Sequence, residues 1–154
     1  MRKLAFVLPL LLTACVSNGE PEGGAPIPLI NSAGQSIGSV RTWQTSGGVA
    51  FKIYATGLPH GLHGIHVHSV GRCDPPDFAS AGPHAGDMRN VEVEANGVLE
   101  KTVTLPGASM ATLLDADGAS LVLHASPDDY LTDPSGNSGA RIACAVLQHA
   151  AEIR

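Results

Sequence analysis

Seven histidines carry most of the chemistry open to this 154-residue chain, and two of them set the frame. His66 and His68 stand in the run GLHGIHVHS, Gly61 to Ser69. Successive side chains of a β-strand point to opposite faces, so residues two apart share a face. The pair therefore presents two imidazoles on one side of a strand. Ile65 and Val67, β-branched and apolar, favour the strand and fill its other side. Two rigid nitrogen donors are the beginning of a transition-metal site. A His-x-His pair standing alone is more often a pair of surface histidines on an edge strand. Three other residues bear on the choice: His84 in an irregular stretch, His124 near the end of a later apolar run, and the cation Arg141.

The elements that must position these residues are strands. Glycine (18) and proline (11) punctuate short β-rich runs, and aromatic residues are only 4% of the chain. This pattern predicts an all-β sandwich or barrel. Strands are expected over 27–31, 36–44, 48–56, 61–69, 91–95, 98–105, 119–125 and 140–147, eight in all, with no helix. Val49, Phe51, Ile53 and Ala55 alternate with Ala50, Lys52, Tyr54 and Thr56, a period of two. Ser46-Gly47 and Asn96-Gly97 mark tight turns between neighbouring runs. Two long stretches, 70–90 and 126–139, resist assignment. Each follows a histidine-bearing strand, and long irregular loops inside a compact domain usually carry function.

The N-terminal residues read as an address. Arg2 and Lys3 precede the apolar run Leu4 to Leu12, too short to span a bilayer but suited to a signal peptide. The run ends in Leu-Thr-Ala-Cys at 12–15, which resembles the lipobox of bacterial lipoproteins. The expected organisation is a leader over 1–14, a lipidated Cys15 heading a flexible Gly/Pro/Glu/Ser-rich tether over 15–28, and one domain over 29–154. Removing Arg2 and Lys3 takes the formal charge from −5 to −7, which argues against nucleic acid as a partner. An exported chain meets an oxidising compartment, where the remaining cysteines, Cys73 and Cys144, can pair.

Five separated stretches then resemble the copper–zinc superoxide dismutase family, and they occur in family order. They are GLHGIHVH (61–68), SAGPH (80–84), HAGDM (84–88), LVLH (121–124) and GNSGARIACAV (136–146). DDYLTDPSGNSGARIAC is similar to the exported bacterial branch. The resemblance implies an eight-stranded Greek-key β-barrel and a reaction that converts superoxide to dioxygen and hydrogen peroxide. It implies copper held by His66, His68 and His124, with Arg141 guiding the anionic substrate. It also implies His63 as a support behind the metal ligands. Asp133 matches an acidic residue that hydrogen-bonds ligand imidazoles, although a turn aspartate before Pro134 satisfies the spacing equally. His60 and His149 match nothing.

One departure stands out. In the family, the histidine bridging copper and zinc closes an SAGPH-like motif, and zinc ligands follow on a long subloop ending in HxGD. Here both motifs share His84, so that subloop is missing and only His84 and Asp87 remain of its ligands. His84 aligns either with the bridging residue, making four copper histidines, or with the later zinc residue, leaving three; the four-histidine set is the expectation. Two residues do not make a closed zinc site, which takes four ligands. The expected protein is a periplasmic, lipid-anchored, copper-dependent superoxide dismutase without zinc, at the outer membrane because Val16 and Ser17 carry no aspartate retention signal. The alternative, a membrane-tethered copper buffer on the same fold, requires neither Arg141 nor an open coordination position.

Overall fold

The computed structural model describes residues 24–147. The leader, Cys15, most of the tether and residues 148–154 lie outside that range. β1 (Ile27–Asn31) already begins inside the expected tether: Ile27 is buried, and Gly24 N–H bonds to the Thr42 carbonyl at 3.0 Å. The strand agrees with the one expected over 27–31 and overlaps the last two residues of the expected tether.

β2 (Ser36–Thr45) and β3 (Gly48–Ala55) form the expected hairpin, paired from Gly38↔Ala55 to Thr45↔Gly48. The period of two is realised in β3 from Phe51 onward, whereas Ala50 is buried along with its neighbours. Val49, Phe51, Ile53 and Ala55 are buried, while Lys52 and Tyr54 are exposed. The histidine stretch is not one strand but two, β4 (Gly61–His63) and β5 (Ile65–His68). Gly64 turns between them, and a Cβ there would stand 2.9 Å from Ser138 Cβ, so only glycine lets loop 126–139 pass so closely. β6 (His84–Asp87) was not expected, since HAGD has no β-branched residue; it is held by pairing with β5. β7 (Val91–Val93) pairs with β4 rather than with β8 (Leu99–Pro106), although the Asn96-Gly97 turn joins the two as predicted. A single helical turn, α1 (Met110–Leu113), with a capping box from Ser109 and Thr112, and a 3-10 turn at Ala79–Ala81 are the only helix among the described residues. β9 (Ala119–His124) and β10 (Arg141–Leu147) complete the set.

The main sheet is antiparallel with order β6-β5-β9-β10-β1-β2-β3-β8 and forms a nearly closed eight-stranded Greek-key barrel, with β4 and β7 paired in a separate two-stranded sheet. From β3 the chain crosses to β4 and β5, and from β8 it crosses back to β9, which lies between β5 and β10. Phe51, Ile53, Ile65, Val67, Leu121 and Leu123 belong to the barrel core. Alternation then sends His66 and His68 of β5, and Ser120, Val122 and His124 of β9, to the outer face. Every residue of these two strands is nevertheless buried. The two stretches that resisted assignment fold over this outer face and enclose it.

Candidate metal centre

Strand pairing brings the histidines together. His66 faces Val122 and His68 faces Ser120 across β5–β9, and His124 ends β9 opposite Arg141 of β10. One nitrogen from each of His66, His68 and His124 lies within 4.8 Å of the others. The residues are 0%, 1% and 3% exposed. In each ring one nitrogen has a partner and the other has none. His68 Nδ1 is tied to the Gly82 carbonyl at 3.0 Å and His124 Nδ1 to the Gly139 carbonyl at 3.1 Å. His66 Nε2 contacts Asp128 Oδ2 at 2.6 Å. The free atoms are His66 Nδ1, His68 Nε2 and His124 Nε2, all buried. A buried nitrogen without a partner is costly, and three converging on one point are an unmet coordination shell. This donor set fits copper.

Each anchor comes from a different covering loop. The 69–83 segment supplies Gly82, and the 126–139 segment supplies both Asp128 and Gly139. His63 is 2% exposed and is held by main chain rather than by a ligand ring. Its Nδ1 contacts the His124 carbonyl at 2.7 Å and its Nε2 the Pro59 carbonyl at 2.8 Å, joining the end of β9 to the turn before β4. His60 is exposed.

One expectation is revised. The carboxylate that holds a ligand imidazole is Asp128, 5% exposed, and not Asp133, which is exposed. The reason is reach. Asp128 lies four residues after His124, where the chain still follows the strand end, whereas Asp133 lies further out on the loop. His84 packs against the same cluster, though outside the group of three whose donor atoms all lie within 4.8 Å of one another. Its ring centroid is 4.2 Å from that of His66 and 5.8 Å from that of His68, and its Nε2 lies 2.9 Å from Asp87 Oδ1, without hydrogen-bond alignment. With His66 and the exposed Asp87 it forms a second group whose donor atoms also lie within 4.8 Å of one another.

Arg141 is half-buried, and its guanidinium donates to the carbonyls of Phe78 at 2.6 Å and Gly82 at 2.9 Å. The Gly82 carbonyl thus receives both Arg141 and His68 and fixes the cation beside the histidine cluster. The Cys73–Cys144 disulfide ties the same loop to β10, three residues beyond Arg141. The disulfide agrees with expectation, whereas nothing in the sequence marks the carbonyls that hold the arginine. Main-chain acceptors leave no mark in residue types.

Burial lowers the pKa of His68 and of His124 to about 4, outweighing their hydrogen bonds to Gly82 and Gly139, and the nearby Arg141 charge adds to the lowering. Burial likewise lowers that of His84, with His66 adding and Asp87 opposing. Groups with a folded pKa below the unfolded 6.5 contribute stability that is complete above 6.5 and lost as pH falls toward 4. The urea midpoint of metal-free protein is therefore expected to hold between pH 7 and 8 and to fall between pH 6.5 and 4. A midpoint that holds across the lower window would contradict this burial.

Residues 36–147 match the family model described as copper/zinc superoxide dismutase (SODC). The chain belongs to this family. It is 39% identical over 143 residues to superoxide dismutase [Cu-Zn] 1 of Aquifex aeolicus, covering 78% of this chain and 85% of that protein. It is 37% identical over 139 residues to superoxide dismutase [Cu-Zn] of Caulobacter vibrioides, covering 75% and 80%. The crystal structure of a superoxide dismutase-like protein from Bacillus subtilis superposes with a TM-score of 0.76 at 36% identity, covering 81% of this chain and 99% of that one. Membership in the superoxide dismutase family makes the protein an oxidoreductase, and the disulfide fits an exported member of that family.

Proposed function

We propose that the protein is a copper-dependent superoxide dismutase that works without zinc. The observation that carries the proposal is the set of three buried, unpartnered imidazole nitrogens beside a cation held by main-chain carbonyls. Bound copper supplies one-electron redox chemistry, by which superoxide becomes dioxygen and hydrogen peroxide. The chain's own residues do the rest. His66, His68 and His124 hold the ion in a fixed donor set, each ring pinned through its other nitrogen. Arg141 draws superoxide in and orients it, because a fixed positive charge beside the site attracts an anion in a chain whose net charge is negative. The copper-buffer reading leaves Arg141 unexplained: a buffer needs no cation next to its ligands.

Several observations support the loss of zinc. A closed zinc site takes four ligands. The second group among the described residues offers three, of which His66 already spends its Nε2 on Asp128 and Asp87 is 66% exposed. Those residues do not fit a resident zinc. The alignment with the first Aquifex relative runs over 143 positions yet spans 78% of this chain's 154 residues, about 120, so about 23 of its positions have no counterpart here. That deficit agrees with the merger of two motifs at His84. His84 then flanks the copper triad as a neighbour of His66, able to approach as a fourth imidazole.

For location, the proposal is export with lipid attachment at Cys15, on the periplasmic side. The reading predicts that copper-loaded protein dismutates superoxide and that Arg141→Ala lowers turnover about 10- to 100-fold with copper affinity nearly unchanged. Its salt dependence should flatten as well. Pulse radiolysis at two ionic strengths measures both. An Arg141→Ala variant as fast as the parent would leave the guiding role without support.

A further inference from the structure

The three clustered histidines are held by unlike means. His68 and His124 are pinned through Nδ1 by main-chain carbonyls and turn Nε2 toward the metal position. His66 is reversed: Nε2 is pinned and Nδ1 is free. Its partner is a side chain, the Asp128 carboxylate, carried on a long loop. A carboxylate only accepts, so the contact requires the ring proton on Nε2 and leaves Nδ1 bare. The orientation of His66 therefore depends on whatever holds Asp128.

That support is fully built. Asn90, just beyond β6, makes a reciprocal pair with the Asp128 main chain: Asp128 N–H donates to Asn90 Oδ1 at 2.8 Å, and Asn90 Nδ2 donates to the Asp128 carbonyl at 2.9 Å. Tyr130 closes the circuit from both ends. Its hydroxyl accepts the Asn90 N–H at 2.7 Å, and its own N–H donates to Asp128 Oδ1 at 2.6 Å, leaving Oδ2 for His66. To do both, Tyr130 adopts φ +58°, a left-handed conformation disfavoured for a bulky residue and tolerated only where surroundings dictate it. The opposite arm of the loop returns against the same carboxylate. Gly136 has φ +57°, and a Cβ there would fall 1.7 Å from Asp128 Oδ1.

We propose that Tyr130 and Asn90 form a latch that fixes Asp128 and, through it, the metal-facing nitrogen of His66. They are positioning residues: neither reaches the metal position. The inference deepens the copper reading, in which no zinc is present to brace this side of the site, and it accounts for an otherwise idle, half-exposed tyrosine.

The test uses metal-free full-length protein and the exchange of imidazole N–H protons by NMR. Tyr130→Phe removes one hydroxyl and keeps the ring; Asn90→Ala removes the reciprocal pair. The latch predicts that His66 Nε2–H exchanges about five- to tenfold faster in Tyr130→Phe, and faster still in Asn90→Ala, as its hydrogen-bonded support weakens. The Nδ1–H protons of His68 and His124, bonded to main-chain carbonyls, should keep their parental rates. Acceleration of all three together would mean general loosening and overturn the latch, as would no change at His66. Should Asn90→Ala fail to fold, Tyr130→Phe decides alone. The measurement needs no metal, so failure of the protein to bind copper would sink the proposed function and leave this result standing.

Discussion

His124→Ala is expected to abolish stoichiometric copper binding and superoxide turnover together. Loss of a mere hydrogen-bonding partner of a metal ligand costs about 10- to 100-fold in affinity. Removing one of three imidazoles must cost more, because the two that remain, on β5, face the ion from one strand alone. The barrel should survive, since His124 lies on the outer face and its carbonyl, which receives His63, stays in place. His60→Ala, at an exposed histidine, is the matched control and should bind and turn over as the parent does. Copper titration followed by the visible absorption of Cu(II) separates the two variants. Undiminished copper in His124→Ala would mean that the metal is held elsewhere.

Cys73→Ser should produce the largest change in stability. Closing a separation of 71 residues stabilises the fold by about 4 kcal/mol in the chain-entropy model. Total stabilities are only about 5–15 kcal/mol. The cost also reaches the site. Without the bond, the segment carrying the Phe78 and Gly82 carbonyls loses its tie to β10, and Arg141 and His68 lose fixed acceptors. Urea unfolding under non-reducing conditions should show a midpoint well below the parent's, and superoxide turnover should fall even where the variant is folded. A midpoint equal to the parent's would remove the disulfide from the account of both stability and site.

Where the sequence was legible, alternation made it so. In β3, buried Val49, Phe51, Ile53 and Ala55 against exposed Lys52 and Tyr54 can be read directly, because one face meets the core and the other meets water. The same rule failed for β5 and β9, where loops cover the outer face and every residue is buried. There only the residue types, histidine against isoleucine and valine, revealed the two sides. β6 escaped because HAGD has no strand preference of its own and owes its conformation to β5. Within the site, His66, His68, His124 and Arg141 could be named from the chain alone. What could not be read was which atoms hold them. Asp128 and Asp133 are chemically alike and five residues apart, and burial against the strand end selects the first. His84 is ambiguous for a related reason: strand register sets it opposite His68, and its ring packs against His66 while its Nε2 lies beside the Asp87 carboxylate.

The central claim is a copper centre that does without zinc, and metal stoichiometry tests it most directly. The protein would be folded with both metals in excess, freed of loose ions, and analysed by elemental mass spectrometry beside a turnover assay. The account predicts about one copper per chain, zinc far below one, and full superoxide turnover, because the triad offers three unpartnered nitrogens while the second group lacks a fourth ligand. Copper and zinc at one each per chain, or turnover that appears only after zinc is added, would contradict it.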